Sequence, residues 1–237
     1  MPAVFLHGVP DTAELWDPII GALARDDTIA LRLPGFGTDI PAGFGCTKEE
    51  YAEWVADRVR ELGEPVDLVG HDWGAMLVQR LATTRPELVR TYTLADGGVS
   101  GPLNWHDLAK QWQTPEVGEQ VMALLVPETI EPVMRDYGHP DPAGCAASVD
   151  DRMKDAILRL YRSAVDVGDE WDPGTRGRER PALIIWGRDD PFGKPKRGEE
   201  AASAANARIE VIDGGHWAAF AHPDETARLL DEHWTST

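Results

Sequence analysis

The stretch that most constrains this chain runs from residue 65 to 78 and has the sequence PVDLVGHDWGAMLV. It predicts a buried strand, a tight turn and a helix that is apolar on nearly every side. Asp72 in the turn could simply cap the helix. However, Gly70 and Gly74 flank it, and glycines there allow a nucleophile elbow, which lifts the central side chain above the end of a parallel sheet. We therefore take Asp72 as the candidate centre of chemistry.

The rest of the chain alternates short apolar runs with helical patterns. Thr47 and Glu50 form a capping box at the start of one such helix. Alternation of this kind predicts an α/β fold, in which a mostly parallel sheet is covered by helices on both faces. Besides the strand before Asp72, the predicted strands cover residues 3–6, 28–33, 91–95, 182–186 and 208–212.

Residues 99–178 interrupt the alternation, because they hold helical patterns and no convincing strand. The clearest helix covers 150–165, where Met153, Ile157 and Leu160 recur at helical spacing. We predict that 1–98 and 179–237 form one α/β core, and that 99–178 is an inserted helical cap with a return linker at 170–180.

Composition narrows the function classes. A length of 237 residues with 42% hydrophobic content suffices for one α/β domain with an insertion. A net charge of −18 argues against nucleic acid and anionic membrane surfaces as partners. Cys46 and Cys145 stand far apart and suggest neither a disulfide framework nor a metal site. Without a basic leader or a bilayer-length apolar run, we expect a cytoplasmic protein that needs no cofactor and acts on a small molecule with water.

Two polar residues follow later predicted strands: Asp190 comes after 182–186, and His216 comes after 208–212. Because the carboxyl ends of parallel strands share one edge, where ligands bind, these side chains can meet Asp72. The chain order nucleophile, acid, histidine is that of the α/β-hydrolase triad.

At this point the chain resembles the α/β-hydrolase superfamily, in particular its epoxide hydrolase and haloalkane dehalogenase branch. The resemblance implies that the acid follows Gly187 by three positions, which favours Asp190, while Asp189 and Asp96 stay open as alternatives. It implies structural roles for His7 and His71. The resemblance covers nearly the whole chain and rests on His7-Gly8-Val9-Pro10, Gly70-His71-Asp72-Trp73-Gly74, Trp186-Gly187-Arg188-Asp189-Asp190 and Gly215-His216-Trp217.

An aspartate nucleophile favours attack at saturated carbon. A carboxylate that attacks an ester carbonyl gives an anhydride-like species that reverts, whereas attack on an epoxide or a carbon–halogen bond leaves a stable ester. Asp72 is ionised at neutral pH, so His216 can activate the water that hydrolyses this ester, with the acid orienting the imidazole. The backbone N–H groups of Val9 and Trp73 are the candidates for the oxyanion hole.

The leaving group distinguishes the two branches. Epoxide hydrolases protonate the alkoxide with cap tyrosines, and Tyr161 resembles one of them, although it also fits the apolar face of a core helix. Epoxide hydrolases carry a second cap tyrosine near the position where this chain has Trp112, and an indole cannot protonate an alkoxide. Tyr137 is an alternative candidate for the second proton donor. Haloalkane dehalogenases use an indole after the nucleophile, here Trp73, with an Asn where this chain has Val9.

Trp112 or Trp105 could supply a second halide donor. Haloacetate dehalogenases usually have the motif Gly-His-Asp-Arg at the elbow. This chain has Trp73 in place of the arginine, which makes that group a less favoured interpretation. The sequence therefore predicts an epoxide hydrolase first, a haloalkane dehalogenase second, and a non-catalytic small-molecule-binding protein third. The predicted hydrophobic pocket is lined by Val9, Trp105, Trp112, Tyr137, Trp217 and the helix at 150–165.

The first predicted strand begins close to Met1. Members of the resembling family usually carry an antiparallel hairpin before this strand, so we expect either that the sheet is shorter by about two strands or that the given sequence starts late. An uncovered edge strand promotes association, which leaves a homodimer open.

Overall fold

The computed structural model describes residues 1–174 and 179–237, and its centre is a six-stranded sheet. The strand order is β2-β1-β3-β4-β5-β6, and every neighbouring pair is parallel. The predicted α/β architecture is therefore confirmed, without an antiparallel hairpin among the described strands. The strands are β1 (Ala3–Leu6), β2 (Thr28–Leu31), β3 (Val66–His71), β4 (Val89–Ala95), β5 (Ala182–Gly187) and β6 (Arg208–Ile212).

The strands have the burial that their positions require. Every residue of β3 and β5 is buried, as expected for parallel strands covered on both faces. In contrast, β2 at the edge is only partly buried. Strand β4 begins at Val89, earlier than predicted, because Val89 pairs with Val66 at the start of β3.

Helices pack on both faces of the sheet and divide the core in two. One hydrophobic cluster contains Val4 and Leu68 with the helices that precede and follow β3. The other contains Phe5 and Val69 with the first and last helices. These helices are α1 (Asp17–Ala22), α2 (Lys48–Arg60), α3 (Trp73–Thr84), α10 (Pro195–Ala205), α11 (Ala218–Ala221) and α12 (Pro223–Thr235).

Local sequence explains where several helices begin. Thr47 and Glu50 form the predicted capping box at the start of α2, with both reciprocal hydrogen bonds present. At the start of the helix predicted over 150–165, the Asp150 carboxylate accepts the N–H of Met153 at 2.9 Å. That helix ends at Arg162, earlier than predicted.

The described residues between β4 and β5 contain helices and no strand, and we call α4–α9 the helical insertion. Two of its helices, α7 and α9, were not predicted, because both are short and lack a clear apolar period. The predicted division at residue 178 lies outside the described residues, so the domain boundaries stay a prediction. The helices are α4 (Asp107–Gln113), α5 (Val117–Leu124), α6 (Pro127–Asp136), α7 (Pro142–Ser148), α8 (Asp151–Arg162) and α9 (Val167–Glu170).

None of the helices in the described part of the chain is both long enough and apolar enough to cross a membrane.

Candidate active site

The turn between β3 and α3 holds Asp72 in a strained backbone conformation. Its φ of 52° and ψ of −119° are values that residues other than glycine rarely adopt. The surroundings enforce them: a Cβ at Gly70 would lie 2.3 Å from the Gly74 carbonyl oxygen, and one at Gly74 would lie 2.2 Å from that of Leu6. Only glycines permit this approach of helix and strand, so the turn has the geometry of a nucleophile elbow.

The loop after β1 meets Asp72 from the other side. The backbone N–H of Val9 donates a hydrogen bond to Asp72 Oδ1 at 2.9 Å. Trp73 directly follows Asp72 as the first residue of α3, where backbone N–H groups have no partner within the helix. The structure thus brings the Val9 N–H to one carboxylate oxygen and leaves the other, Oδ2, facing elsewhere.

His216 lies between two carboxylates. Its Nε2 is 3.6 Å from Asp72 Oδ2, and its Nδ1 is 3.2 Å from Asp190 Oδ2. The Nδ1 contact is at ion-pair distance but does not have hydrogen-bond geometry. Asp190 is itself held by the N–H of Phe192, which donates to Oδ1 at 2.8 Å. The ends of β3, β5 and β6 therefore bring together Asp72, Asp190 and His216.

The two alternative acids occupy different positions. Asp189 is exposed, in contrast to the buried Asp190. Asp96 is buried, and its Oδ1 accepts the N–H of Gly187 at 2.6 Å, while Oδ2 has no hydrogen-bond partner among the described residues. Burial, together with the charge of Asp190, raises the pKa of Asp96 well above its ordinary value. The shift favours the neutral form of Asp96, and Asp190 is the described carboxylate in ion-pair contact with Nδ1.

The charges at the site stabilise one another. Burial alone would raise the pKa of Asp72, but contacts with His216 and the Val9 N–H lower it overall. Burial would likewise lower the pKa of His216, but Asp190 and Asp72 raise it well above its ordinary value. Each shift therefore favours the charged form of its group, the carboxylate of Asp72 and the imidazolium of His216.

A cavity of about 470 Å³ lies between these residues and the helical insertion. The indole of Trp73 is not among its described lining residues: it is buried, stacks on Trp105 at 5.8 Å and meets Tyr161 edge-on at 5.5 Å. The lining includes every other residue that the sequence predicted for the site, namely Val9, Asp72, Trp105, Trp112, Tyr137, Tyr161, Asp190, His216 and Trp217.

Tyr161 lies at the centre of an aromatic cluster in this cavity and is 3% exposed. Its ring contacts Trp73, Trp105 and Trp112 at 4.9–5.5 Å. Burial and the charge of Asp72 raise the pKa of Tyr161 well above its ordinary value, so its hydroxyl keeps its proton. The residue thus combines the core packing and the cavity position that the sequence left as alternatives.

The three indoles near Tyr161 differ in the partners of their N–H groups. Trp105 Nε1 donates to the Ala164 carbonyl at 3.0 Å. The buried Nε1 atoms of Trp73 and Trp112 have no partner with hydrogen-bond geometry among the described residues, although that of Trp73 lies beside the Tyr161 hydroxyl. Of these two, Trp112 lines the cavity, so its N–H is the donor available to a ligand there.

Sequence reasoning missed His106, which also lines the cavity. As the N-cap of α4, its Nδ1 accepts the N–H of Ala109 at 3.2 Å. Burial lowers the pKa of His106, so the ring is neutral and its single proton is on Nε2. The N-cap position before a helical pattern was the only signal available in the sequence. Phe192 and Arg197 are further lining residues that were missed.

His7 and His71 each make a hydrogen bond to a backbone carbonyl, and the Nδ1 of His71, at the end of β3, has no partner among the described residues. His7 Nδ1 donates to the Gly8 carbonyl at 2.9 Å, while Nε2 accepts the Leu33 N–H at 3.2 Å. His71 Nε2 donates to the backbone carbonyl of His216 at 2.8 Å, and burial lowers the pKa of His71 to about 4. Both are neutral groups that hold loops at the edge of the sheet.

One further buried cluster contains metal-ligand side chains. The ligand atoms of Asp11, His139 and Cys145 lie within 4.8 Å of one another. However, Asp11 Oδ1 accepts from His139 Nε2 and Oδ2 accepts from Trp217 Nε1, and burial raises the pKa of Cys145 beyond its ordinary range. The cluster is hydrogen-bonded rather than arranged around an ion.

Two proteins resemble this chain in sequence, and a crystal structure resembles it in fold. The chain is 27% identical to haloalkane dehalogenase 2 of Mycobacterium tuberculosis, over 98% of this chain and 87% of that protein. The chain is also 35% identical to a soluble epoxide hydrolase from Corynebacterium sp. over 97 residues, which are 40% of this chain and 34% of that protein. The crystal structure of haloalkane dehalogenase DbeA from Bradyrhizobium elkani superposes with a TM-score of 0.78 at 24% identity, covering 100% of this chain and 91% of that one.

The family comparison covers nearly the whole chain. The sequence pattern of the alpha/beta hydrolase family matches residues 3–229, which include all six strands and the helical insertion. The chain therefore belongs to the alpha/beta hydrolase family.

Proposed function

We propose that the chain hydrolyses an apolar small molecule through a covalent ester on Asp72, and that the first candidate reaction converts an epoxide to a vicinal diol. The observation that carries this proposal is the position of the Asp72 carboxylate at the elbow. Oδ1 accepts the Val9 N–H, and Oδ2 lies 3.6 Å from His216 at the base of the cavity. Haloalkane dehalogenase and epoxide hydrolase relatives support the same class of chemistry.

In the first step, Asp72 Oδ2 forms a bond to an epoxide carbon while the ring C–O bond breaks. The departing oxygen takes a proton from the Tyr161 hydroxyl, because an alkoxide is a stronger base than a phenolate. His106 supplies a second donor through Nε2–H, in place of the tyrosine that Trp112 replaces. Oδ1 becomes the carbonyl oxygen of the ester and remains at the Val9 N–H.

In the second step, water attacks the carbonyl carbon of the ester and His216 accepts a proton from it. The negative charge develops on Oδ1, where the N–H groups of Val9 and Trp73 stabilise it. Collapse breaks the bond between the carbonyl carbon and Oδ2, and Oδ2 takes the proton from His216 as it leaves with the diol. The oxygen from water remains in Asp72, whose new carboxyl group passes its proton back to His216.

Esterification prepares His216 for this step. The Asp72 charge is one of the causes that raise the pKa of His216 in the free enzyme. An ester has no charge, so this contribution disappears and His216 loses its proton more readily. The Tyr161 phenolate left by the first step can accept that proton, and the neutral imidazole is then favoured as the general base of the second step.

The test is a single turnover in heavy-oxygen water with enzyme in excess over an aryl epoxide. We expect the label in the peptide that contains Asp72, by mass spectrometry, and unlabelled diol in the first turnover. Asp72→Asn should lower the turnover rate by about 10⁴-fold or more. Label in the first diol, or full turnover by Asp72→Ala, would contradict the mechanism.

A second candidate is haloalkane dehalogenation, which the N–H of the cavity-lining Trp112 favours as a halide donor, since it has no partner among the described residues. The N–H of Trp73 is the other predicted donor and lies beside the Tyr161 hydroxyl. Substitutions of Tyr161 and Trp112 distinguish the two candidate reactions. For an epoxide hydrolase, Tyr161→Phe should lower the ring-opening rate by about 100-fold, and Trp112→Phe should have little effect. For a dehalogenase, Trp112→Phe should slow bromide release from a bromoalkane, and Tyr161→Phe should change it little. If neither substrate yields product or an ester adduct, a binding protein is favoured.

A further inference from the structure

The cavity contains one cationic side chain whose role the ester chemistry does not explain. Arg197, on the first turn of α10, is the only lysine or arginine among the described residues that line the cavity. The chain as a whole is strongly acidic, with a net charge of −18. In such a chain, a cation facing a cavity is expected to have a nearby carboxylate partner.

Arg197 has no such partner. No carboxylate oxygen in the described parts of the chain, 1–174 and 179–237, lies within 4 Å of its guanidinium. One nitrogen, Nη2, donates a hydrogen bond of 3.4 Å to the carbonyl of Gly98. A guanidinium carries five N–H donors, so most of them have no hydrogen-bond partner among the described residues, and Arg197 lines the cavity.

Two glycines, Gly98 and Gly193, lie next to the Arg197 side chain. The Gly98 contact ties the guanidinium to the segment after β4, and Gly98 also lines the cavity. The stem of Arg197 passes close to Gly193, where an added Cβ would lie 3.5 Å from Arg197 Cδ. The side chain is half-buried. It is therefore held beside the ends of β4 and β5, close to the proposed reacting groups.

A role as counterion to Asp190 does not account for this arrangement. Both oxygens of Asp190 face other groups: Oδ1 accepts the Phe192 N–H at 2.8 Å, and Oδ2 lies 3.2 Å from His216 Nδ1. The charge of Asp190 does act on Arg197, but burial outweighs it and lowers the pKa of Arg197 below its ordinary value. Keeping a cation partly buried without a bound anion is costly.

We propose that Arg197 binds a carboxylate of the substrate, so that the molecule hydrolysed is an apolar compound that carries one anionic group. This rests on the proposed function, since it assigns a substrate class to the same cavity. A guanidinium can grip a carboxylate with two parallel hydrogen bonds. Long-range attraction cannot bring an anion to a chain of net charge −18, so this local contact must supply the recognition.

The experiment compares phenylacetate with phenylacetamide, two probes of nearly equal shape that differ in charge and have no leaving group. Their binding to the wild-type protein is measured by titration calorimetry. We expect phenylacetate to bind at least about tenfold more tightly, because a charge-assisted contact is stronger than a neutral one. Equal affinities, or no binding of phenylacetate, would overturn the proposal without any variant.

Substitutions test whether Arg197 causes the preference for phenylacetate over phenylacetamide. Arg197→Met should abolish it and leave the affinity for phenylacetamide unchanged, while Arg197→Lys should keep part of it. The matched control is Arg58→Met on α2, which removes the same charge from a residue that does not line the cavity and should keep the full preference. A preference that persists in Arg197→Met overturns the assignment.

The binding measurement does not depend on catalysis. If phenylacetate binds through Arg197 but no ester forms on Asp72, the carboxylate site stands and the proposed function fails. If an ester forms on Asp72 from neutral and anionic aryl epoxides at the same rate and phenylacetate shows no preference, the proposed function stands and this inference fails.

Discussion

The described part of the chain contains one pair of aspartate and histidine beside the cavity and one in the core, and the two pairs are built differently. In the first, His216 lies 3.6 Å from Asp72 and 3.2 Å from Asp190 at the cavity. In the second, His139 Nε2 donates to Asp11 Oδ1 at 2.7 Å. The residue types are the same, so the difference between a proposed catalytic pair and a structural one must lie in the contacts around them.

In the second pair, each polar side-chain atom has a partner. Asp11 Oδ2 accepts the indole N–H of Trp217 at 3.0 Å, and His139 Nδ1 accepts the backbone N–H of Asp141 at 3.0 Å. Through these bonds, the loop after β1, the segment between α6 and α7 and the residue after His216 are joined. A fully bonded network of this kind stabilises one arrangement of the chain.

In the first pair, atoms remain available. His216 Nδ1 lacks a well-formed hydrogen bond, and Asp72 Oδ2 has only the 3.6 Å contact to Nε2. Asp72 also keeps a side chain that is 22% exposed, whereas that of Asp11 is 2% exposed. Loose contacts at a cavity leave room for a substrate and a water, and closed contacts in the core do not. The comparison predicts that the first pair governs activity and the second governs stability.

The largest expected effect is that of His216→Gln. The first step does not need the imidazole as a base, so the ester should form and then persist. We expect turnover to fall by about 10³-fold or more, with a mass adduct on the peptide that contains Asp72. The matched control is His222→Gln, at an exposed histidine, which should leave turnover unchanged. Loss of turnover without an adduct would contradict the assignment of His216 to the second step.

The next effect separates the two buried acids near His216. Asp190→Asn removes the charge 3.2 Å from Nδ1, and we expect about a 10³-fold loss of turnover. Asp96→Asn keeps a side chain of similar shape that can still accept the Gly187 N–H. It should change turnover by less than about tenfold, because the raised pKa of Asp96 favours its neutral form and the Asp190 carboxylate stays beside Nδ1. The reverse order of effects would make Asp96 the acid.

A smaller effect concerns pH. The pKa of His216 is raised in the free enzyme, in part by Asp72, and the ester removes that part. The rate of ester hydrolysis should therefore rise with pH, because only neutral His216 is a base. Its midpoint should lie below the midpoint for His216 titration in the resting enzyme, followed by NMR. Coincident midpoints would show that the Asp72 charge does not act on His216.

Much of the fold could be predicted from the sequence, because its signals are local. The last strand, 208–212, matches β6 residue for residue, and the capping box fixes the start of α2. Short elements such as α7 and α9 were missed, since a helix of one or two turns shows no apolar period. Their positions depend on packing against the rest of the insertion.

The candidate site divides in the same way. Asp72, Asp190 and His216 could be named because each follows a predicted parallel strand, and such ends share one edge. His106, Arg197 and the network of Asp11 with His139 could not. These residues are distinguished by contacts with residues far away in the chain or, for Arg197, by the lack of a carboxylate partner among the described residues. A local sequence pattern does not show such contacts.

The smallest expected effect on activity is that of Asp11→Asn, which completes the comparison. An asparagine cannot accept from both His139 and Trp217 as the carboxylate does, so a buried donor loses its partner. We expect the free energy of unfolding in urea to fall by about 3 kcal/mol, while turnover changes by less than about threefold, because Asp11 touches none of the proposed reacting atoms. Asp39→Asn is the matched control, since the carboxylate of Asp39 pairs with Arg152 on the surface and should contribute little to stability.

Burial alone would raise the pKa of Asp11, but the hydrogen bonds from His139 and Trp217, together with the charges of nearby histidines, lower it overall. The stability that its charge contributes is therefore present above the ordinary pKa of an aspartate and is lost as the pH falls through the lower pKa of the folded state. The difference in stability between wild type and Asp11→Asn should shrink over that acidic range. If Asp11→Asn instead lowered turnover as strongly as His216→Gln and left stability unchanged, the two pairs would have exchanged roles, and closed hydrogen bonding would no longer distinguish a structural aspartate from a catalytic one.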